Sequence, residues 1–238
     1  MDLKGKRVLV TGGALRVGRS IARVFAAQGA KLVIHYRDSG GEALELVEEL
    51  GGIAAGHSGL GFDLEDLGAL PSMLAAAGPL DVLVNNASAF VMKSLQAETL
   101  PEMKRQFDVN FFAPIELMRL FASQPGDNEL AIVNILDQRI AKTDPLGFSY
   151  PLSKKALAEA TLAAALQLAP RVRVNGLAPG PVFPPKGLES SKMQKTIPAL
   201  PLRRAVSPEE LAAACVMLAS NSSITGAILP VDCGQSLA

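Results

Sequence analysis

The sequence has few cysteines and no excess of charge of either sign. Cys215 and Cys233 are the two cysteines among 238 residues, too few for the disulfide framework that staples small secreted domains. Two reduced thiols favour a cytoplasmic protein. Lysine plus arginine and aspartate plus glutamate both number 23, so the formal net charge is zero. This balance gives no support for a nucleic-acid or anionic-membrane partner, and we expect neither.

The sequence also lacks long hydrophobic runs, a leader segment, repeats and linkers. No apolar run reaches the roughly 18 residues of a membrane span, and Met1 leads through a polar stretch into a short strand rather than into a signal peptide. Apolar residues nevertheless make up 49% of the chain and charged residues 19%, which is typical of a globular protein. We therefore expect a single α/β domain over residues 1–238.

A glycine-rich turn connects the first predicted strand to the first predicted helix. The strand is the apolar run R-V-L-V, and T-G-G-A-L-R-V-G follows it, with glycines at Gly12, Gly13 and Gly18. Glycines at such a turn permit positive φ angles and close backbone approach, and the helix N-terminus presents free N–H groups to a phosphate. The turn therefore predicts a nucleotide site. Arg16 either faces the pyrophosphate or the substrate, or is an ordinary solvated loop arginine.

The second predicted strand, K-L-V-I-H-Y, ends in residues that suit a 2′-phosphate. An acidic residue directly after this strand would bind the ribose hydroxyls of NAD, but here Arg37 and Ser39 follow it. Both can make charge-assisted hydrogen bonds to phosphate, so we predict NADPH, with Asp38 assumed to point away. Asp63 either accepts from the adenine amino group or caps a helix. His35 has no second ligand nearby in sequence, so no metal site is expected.

A polar segment after a buried strand carries the candidate catalytic side chains. The apolar run Leu130 to Leu136 predicts the strand, and Asp137 follows at the sheet edge where open α/β proteins bind ligands. Tyr150 and Lys154 are four residues apart at the start of an Ala/Leu-rich helix, so both lie on one face. A lysine ammonium beside a phenol lowers the pKa of the phenol. Tyr150 is therefore a candidate general acid.

Two other segments bear on this site. The pattern from Thr99 to Ser123 predicts a long helix, in which Asn110 is a poor helix former and Pro114 a break. A local bend there would expose a backbone carbonyl group. The proline-rich stretch from Pro181 to Leu202 has no clear period and predicts a loop. We interpret residues at about 181–206 as a candidate substrate lid.

Taken together, these motifs resemble those of the short-chain dehydrogenase/reductase family over nearly the whole chain. The resemblance implies a doubly wound Rossmann fold with a seven-stranded parallel sheet and helices on both faces. It also implies a nicotinamide cofactor, hydride transfer and a homo-oligomer, commonly a tetramer packed through the helices that hold Asn110 and Tyr150. The matching pieces are T-G-x-x-x-x-G at 11–18, N-N-A at 85–87, Asn110, Y-x-x-x-K at 150–154, P-G at 179–180 and I-T-G…V-D at 224–232.

Asp137 departs from the pattern of that family, in which a serine usually stands thirteen residues before the tyrosine. A serine hydroxyl donates to a substrate carbonyl oxygen, whereas an ionised carboxylate cannot donate and would repel a forming oxyanion. Asp137 suits instead a substrate that presents N–H donors. The chain is similar to pteridine reductases, a branch of the family, at this position. The similarity extends to Arg16, to H-Y-R-D-S after the second strand, and to N-N-A-S-A-F, which includes Phe90.

The pteridine-reductase resemblance implies reduction of a C=N bond in a dihydropterin or dihydrofolate by NADPH. Tyr150 would supply the proton, Asp137 would orient it, and Asn110 would hold a water that links Lys154 to solvent. These four are the implied catalytic residues. The implied substrate contacts are Arg16, Ser88, Phe90, Asp137 and Tyr150, although without the resemblance Phe90 would read as a core residue. The implied cofactor contacts are Gly12, Arg16, Val17, Tyr36, Arg37, Asp38, Ser39, Asp63, Leu64, Asn86, Ala87, Ser88, Tyr150, Lys154, Pro179 and Gly180.

Two alternatives stay open. The first is an NADPH-dependent carbonyl reductase of the same family, for example of the 3-oxoacyl-thioester type, and Asp137 and Phe90 weigh against it. The second is a non-enzymatic NADP-binding regulator on the same fold. The intact set of Tyr150, Lys154 and Asn110 weighs against that, because a binding module needs none of them.

Overall fold

A parallel β-sheet of seven strands forms the centre of the molecule. The structure is a computed structural model, and it describes residues 1–184 and 191–237. The central strands are apolar runs whose side chains are buried on both faces, as parallel sheets require. The strands neighbour one another in the order β3-β2-β1-β4-β5-β6-β7. They are β1 Arg7–Val10, β2 Lys31–Tyr36, β3 Ser58–Gly61, β4 Val82–Asn85, β5 Leu130–Ile135, β6 Val172–Pro179 and β7 Ile228–Val231.

Helices cover both faces of this sheet and enclose two large hydrophobic cores, with a smaller cluster around Leu157. One core includes Phe25 and Leu211, and the other includes Leu117 and Phe121. The α-helices in the described part of the chain are α1 Arg16–Ala27, α2 Gly40–Glu49, α3 Leu70–Ala77, α4 Leu100–Phe107, α5 Ala113–Ala122, α6 Ser149–Gln167, α7 Ser191–Thr196 and α8 Pro208–Ser220. The predicted doubly wound, single-domain α/β fold is confirmed.

The strand order reverses beside β1, which places a crevice at the carboxyl ends of the central strands. Val8 of β1 pairs with Leu32 of β2 on one side and with Val82 of β4 on the other. The connections that leave these strands diverge to opposite faces, and ligands bind in the gap between them. The glycine turn after β1 and the asparagine segment after β4 therefore border the same crevice.

Close backbone packing explains the glycines of the turn after β1. Gly12 has a φ of +60°, and a Cβ atom at Gly18 would lie 2.2 Å from the carbonyl oxygen of Gly12. Asn86 closes the turn from β4, because its Nδ2 donates to the carbonyl oxygens of Thr11 (2.8 Å) and Gly12 (3.1 Å). A side chain at Gly18 would push this turn apart.

The long helix predicted from Thr99 to Ser123 is interrupted in the middle. Thr99 caps α4 in a capping box with Glu102, and the backbone widens into a π turn over Asp108–Phe112 before α5 begins. Pro114 has no N–H to give to the carbonyl group four residues earlier, which is that of Asn110. The predicted local bend is therefore present, and Asn110 lies within it.

The segment after β6 is only partly a loop. Residues 185–190 of the predicted lid lie outside the described residues. The following residues form the short helix α7 and a turn at Ile197–Ala199.

Cys233 follows β7 with a φ of +55° and packs among buried residues. A left-handed backbone at this position explains why a glycine would suit it better than a cysteine.

His35, in β2, connects the glycine turn to the residue that follows β3. Its Nδ1 accepts from the N–H of Gly12 (3.1 Å), its Nε2 donates to the carbonyl oxygen of Phe62 (3.0 Å), and its own carbonyl oxygen accepts from Gly13. These bonds require a neutral ring with the hydrogen on Nε2. Burial accordingly lowers the pKa of His35 from 6.5 to about 4.

We predict that His35 makes the protein less stable in mild acid. As pH falls from about 6.5 to about 4, the unfolded chain takes up a proton at this residue that the folded chain refuses. The contribution is fully present above about pH 6.5, and about 3 kcal/mol of the free energy of unfolding should be lost across this window. Urea unfolding of the wild type and of His35→Gln between pH 4 and 7.5 measures it.

The second histidine provides the matched control. Burial also lowers the pKa of His57. Because His57→Gln leaves residue 35 intact, this variant should keep the part of the pH dependence of stability that His35 supplies. An identical pH dependence in the wild type and His35→Gln would show that the imidazole of residue 35 is not the group that refuses the proton.

Candidate active site

A cleft of about 740 Å³ opens at the carboxyl edge of the central strands. It runs from the glycine turn and the end of β2 to the start of α6. Of the predicted site residues, all except Asn110 line it: Gly12, Arg16, Val17, Tyr36, Arg37, Asp38, Ser39, Asp63, Leu64, Asn86, Ala87, Ser88, Phe90, Asp137, Tyr150, Lys154, Pro179 and Gly180.

A hydrogen bond joins Tyr150 to Asp137 at the floor of the cleft. The phenolic hydroxyl donates to Oδ2 of Asp137 over 2.8 Å. Burial, followed by the charge and hydrogen bond of Asp137, raises the pKa of Tyr150 well above its ordinary value. The predicted lowering of this pKa by Lys154 is therefore wrong. Tyr150 carries its proton at neutral pH, as a proton donor must.

Lys154 does not contact the phenol directly. Its Nζ donates to the carbonyl oxygen of Ile135 over 2.8 Å, at the end of β5. Burial lowers the pKa of Lys154 to about 8, against a smaller opposing effect of the Asp137 charge. The ammonium is therefore mostly protonated at neutral pH and lies fully buried behind the cleft floor.

Arg139 is a charged residue of the cleft that the sequence interpretation missed. Its Nη1 contacts both carboxylate oxygens of Asp137, at 3.2 and 3.0 Å, and its Nε donates to Asp144 over 2.6 Å. The three side chains are 12–22% exposed. The only sequence signal was an arginine two residues after an aspartate at a strand end, which is too common to assign.

Asn110 lies behind the cleft, not in it. Its Nδ2 donates to the carbonyl oxygen of Ala89 and to Oγ of Ser153, while its Oδ1 accepts from Oγ of Ser88 and from the N–H of Ala89. All four positions of the amide are taken. The amide therefore fixes the segment that carries Ser88. The water that links Lys154 to solvent stays a prediction, for which the backbone carbonyl group of Asn110 is the available acceptor.

A buried carboxylate holds the start of α6, where Tyr150 lies. Glu98 accepts from the backbone N–H of Ser149 (3.1 Å), from the hydroxyl of Ser149 and from Nε2 of Gln106 (2.6 Å). Phe148, at the N-cap, makes no side-chain cap. Glu98 therefore replaces the missing cap from outside the helix and fixes the first turn.

The ring of Phe90 forms a wall of the cleft beside the tyrosine. Its centroid lies 4.7 Å from that of Tyr150, with the rings at 78°, and the residue is 42% exposed. Met92 and Phe183 line the same region. A flat heterocycle could lie against this apolar surface.

Ion pairs surround the predicted phosphate site at the end of β2. Arg37 contacts Asp38 over 2.7 Å and Glu65 over 3.3 Å, so the assumption that Asp38 points away is wrong. Arg105 of α4, which the sequence interpretation missed, contacts the same oxygen of Glu65 and lines the cleft. Asp63 accepts from the N–H of Glu65 and lies well before α3, so it is not the cap of that helix.

Arg16 joins the glycine turn to the segment after β6. It adopts a φ of +52°, donates from Nη2 to the carbonyl oxygen of Pro184 (2.8 Å) and lies 5.1 Å from the ring centroid of Phe183. Its guanidinium thus bridges two sides of the cleft, where it could reach a pyrophosphate or a substrate.

The residues present fit a dinucleotide. Helix α1 begins at Arg16 without a side-chain cap at Leu15, so its first N–H groups are free to meet a phosphate.

Over the described ranges, no group of three histidine, cysteine, aspartate or glutamate residues could hold a metal ion. Within the same ranges, no helix combines the length and the hydrophobicity of a membrane span.

Comparisons with known proteins agree with this arrangement. The family model described as enoyl-(acyl carrier protein) reductase matches residues 13–236. FolM alternative dihydrofolate reductase 1 from Brucella canis, crystallised with NADP, is 36% identical with a TM-score of 0.93, over 100% of this chain and 96% of that one. The 3beta-hydroxysteroid dehydrogenase 1 of Eggerthella lenta is 32% identical over 99% of this chain and 95% of its own. The mouse L-xylulose reductase is 32% identical over 98% of both. The chain therefore belongs to the short-chain dehydrogenase/reductase family of NAD(P)-dependent oxidoreductases.

Proposed function

We propose that this protein is an NADPH-dependent reductase of a C=N bond in a pteridine or dihydrofolate. The observation that carries the proposal is the hydrogen bond from Tyr150 to Asp137. In the resting site the hydroxyl hydrogen bonds to the carboxylate, so the phenolic oxygen offers lone pairs to the cleft until the hydroxyl group turns towards a substrate nitrogen. A ring N–H of a pterin or folate matches this resting arrangement, whereas a ketone has no N–H to donate to these lone pairs.

Reduction of C=N adds a hydride to the ring carbon and a proton to the ring nitrogen. The reduced nicotinamide supplies the hydride when it is bound. Tyr150 supplies the proton, which it holds at neutral pH because burial and Asp137 raise its pKa. The phenolate that remains is stabilised by the buried ammonium of Lys154, whose charge lies behind the same floor.

The aromatic wall supports a flat substrate. Phe90 exposes its ring to the cleft next to Tyr150, and a pterin has a planar face of similar size. Stacking would bury both faces and place the ring nitrogen near the hydroxyl group. Ser88, whose hydroxyl group lies within hydrogen-bond reach of Asn110 and of Tyr150, could accept from a substrate amino group through a remaining lone pair.

The choice of NADPH rests on Arg37 and Ser39 at the end of β2. Both line the cleft, and a guanidinium matches a phosphate in geometry and charge. Asp38 and Glu65 already pair with the same guanidinium. Opening these ion pairs costs free energy, which reduces the net gain from the contact between Arg37 and the phosphate. The crystallisation of the Brucella canis relative with NADP supports the same choice.

A carbonyl reductase, for example of the 3-oxoacyl-thioester type, is the second candidate. Its support is the similarity to L-xylulose reductase and 3beta-hydroxysteroid dehydrogenase 1. Oxidation of NADPH with dihydrobiopterin, dihydromonapterin, dihydrofolate and an acetoacetyl thioester separates the two. Turnover of the thioester alone would end the pteridine proposal.

We also propose a homotetramer packed through α5 and α6. Phe112 at the start of α5 and Leu166 near the end of α6 are exposed apolar side chains on these helices, and contact between copies would bury them. Sedimentation equilibrium measures the assembly directly, and a monomer at micromolar concentration would contradict it.

The first prediction of this function concerns the cofactor. The wild type should use NADPH at least about tenfold better than NADH, which is roughly one charge-assisted contact. Arg37→Ala should lower kcat/KM for NADPH and leave that for NADH nearly unchanged. Arg23→Ala, which removes an exposed ion pair with Glu49, is the control. Equal kcat/KM for both cofactors in the wild type would contradict the assignment.

The second prediction concerns the proton donor. Tyr150→Phe keeps the ring but deletes the hydroxyl, so kcat should fall by about 100-fold or more. The dissociation constant of NADPH, measured by titration, should change little. Near-normal turnover in this variant would show that a water molecule donates the proton.

The third prediction concerns Asp137. Asp137→Ser should lower kcat/KM for pterin or folate reduction by roughly 100-fold, because the carboxylate that orients Tyr150 is lost. The new hydroxyl can donate to a carbonyl oxygen, so activity on a small diketone should be unchanged or rise. Both substrate classes must be measured in both enzymes. A variant that loses the two activities equally would indicate a general structural defect instead.

A further inference from the structure

We propose that Arg139 is a positioning residue of the reductase, which acts through Asp137 to control how tightly the carboxylate holds the hydroxyl proton of Tyr150. The inference rests on the proposed role of Tyr150 as proton donor. It assigns a function to a charged pair in the cleft that the hydride and proton chemistry does not by itself require.

Arg139 contacts the carboxylate on both of its oxygens. Its backbone N–H donates to Oδ1 of Asp137 over 2.9 Å, and its Nη1 lies 3.2 Å from Oδ1 and 3.0 Å from Oδ2. Asp144 holds the guanidinium from the other side through Nε. Two carboxylates on one planar guanidinium fix its orientation, and the guanidinium in turn fixes Asp137.

The contacts leave the carboxylate with no spare acceptor position. A carboxylate has about four lone-pair sites. On Oδ1 they meet the backbone N–H and the guanidinium of Arg139, and on Oδ2 they meet the guanidinium and the hydroxyl of Tyr150. Asp137 therefore acts on the reaction through Tyr150, and a substrate N–H would have to displace one of these donors to reach it.

Proton transfer creates the need for a cation at this place. When Tyr150 gives its proton to the substrate nitrogen, a phenolate forms at hydrogen-bond distance from an ionised carboxylate. Two negative charges this close repel strongly in a buried site. The charged groups that face the pair are Lys154 from α6 and Arg139 from the segment after β5, with Asp144 beyond the guanidinium.

Among the charged groups around the phenol, Asp137 and Arg139 have opposite effects on its pKa, and the hydroxyl of Ser88 acts in the same direction as Arg139. Asp137 raises the pKa of Tyr150, whereas Arg139 lowers it. Without the guanidinium, the carboxylate would hold the hydroxyl proton more tightly and would repel the phenolate without compensation. Arg139 thus offsets the cost of placing a carboxylate beside the proton donor.

The test compares steady-state kinetics of Arg139→Met, Arg139→Lys and the wild type on whichever substrate the wild type reduces. Arg139→Met should lower kcat by about 10- to 100-fold while KM and the NADPH dissociation constant stay within about threefold. Arg139→Lys should recover part of kcat, because it restores the positive charge but not the planar guanidinium that contacts both carboxylate oxygens. Arg23→Met, which opens an exposed ion pair with Glu49, is the matched control.

A double-mutant cycle tests whether the effect passes through Asp137. If it does, Asp137→Asn/Arg139→Met should be no slower than Asp137→Asn alone. Losses that multiply would overturn the inference, as would unchanged kcat in Arg139→Met. A rise in KM alone would also overturn it, because it would make Arg139 a substrate contact. Tyr150→Phe, assayed in parallel, separates the outcomes: an active Tyr150→Phe refutes the proposed function, whatever Arg139 does.

A spectroscopic measurement keeps the inference testable without turnover. Tyr36 and Tyr150 are the two tyrosines of the chain, so ¹³Cζ-labelled tyrosine gives two NMR signals. Arg139→Met, or Arg139→Lys if the methionine variant folds poorly, should shift the Tyr150 signal and leave that of Tyr36 in place. The shift should be clearly smaller in the Asp137→Asn background, where only the direct effect of the guanidinium charge on the phenol remains. An unmoved Tyr150 signal would show that the guanidinium does not act on the phenol.

Discussion

The hydrogen bond between Tyr150 and Asp137 is the interaction on which the chemistry of the cleft depends. It joins the segment directly after β5 to the first turn of α6, the next α-helix along the chain. The bond has the right geometry only because β5 ends where it does and because Glu98 fixes the start of α6. In the proposed reaction the scaffold therefore supplies precision, and two side chains supply the proton and its orientation.

Charge burial is the main cost of this arrangement. Asp137, Lys154 and much of Arg139 lie out of water, and buried ion pairs contribute less to stability than apolar side chains of similar size. The depressed pKa of Lys154 shows that the fold does not fully compensate its desolvation. In the proposed function, such groups persist in the cleft because the reaction needs their charges, not because the fold needs their contacts.

The sequence predicted the fold and most of the cleft correctly because both follow from local rules. Apolar runs mark the buried strands, and the glycine turn has a steric cause at Gly12 and Gly18. Parallel strands end at one edge, so the residues after β1, β2, β4 and β5 meet there. The bend at Asn110 was predictable for the same kind of reason, since Pro114 cannot bond to the carbonyl group of that residue.

The inferences that failed depended on which partner a polar side chain chooses, although the family resemblance did imply the pairing of Asp137 with Tyr150. Helical spacing correctly placed Tyr150 and Lys154 on one face, but it could not reveal that the lysine bonds to Ile135 and that the tyrosine bonds to Asp137. The sign of the tyrosine pKa shift follows from that choice, because the nearest charge is negative and not positive. Arg139 escaped notice for the same reason. Its importance lies in the angle at which the backbone after β5 turns it towards Asp137, and that angle is set by packing rather than by spacing.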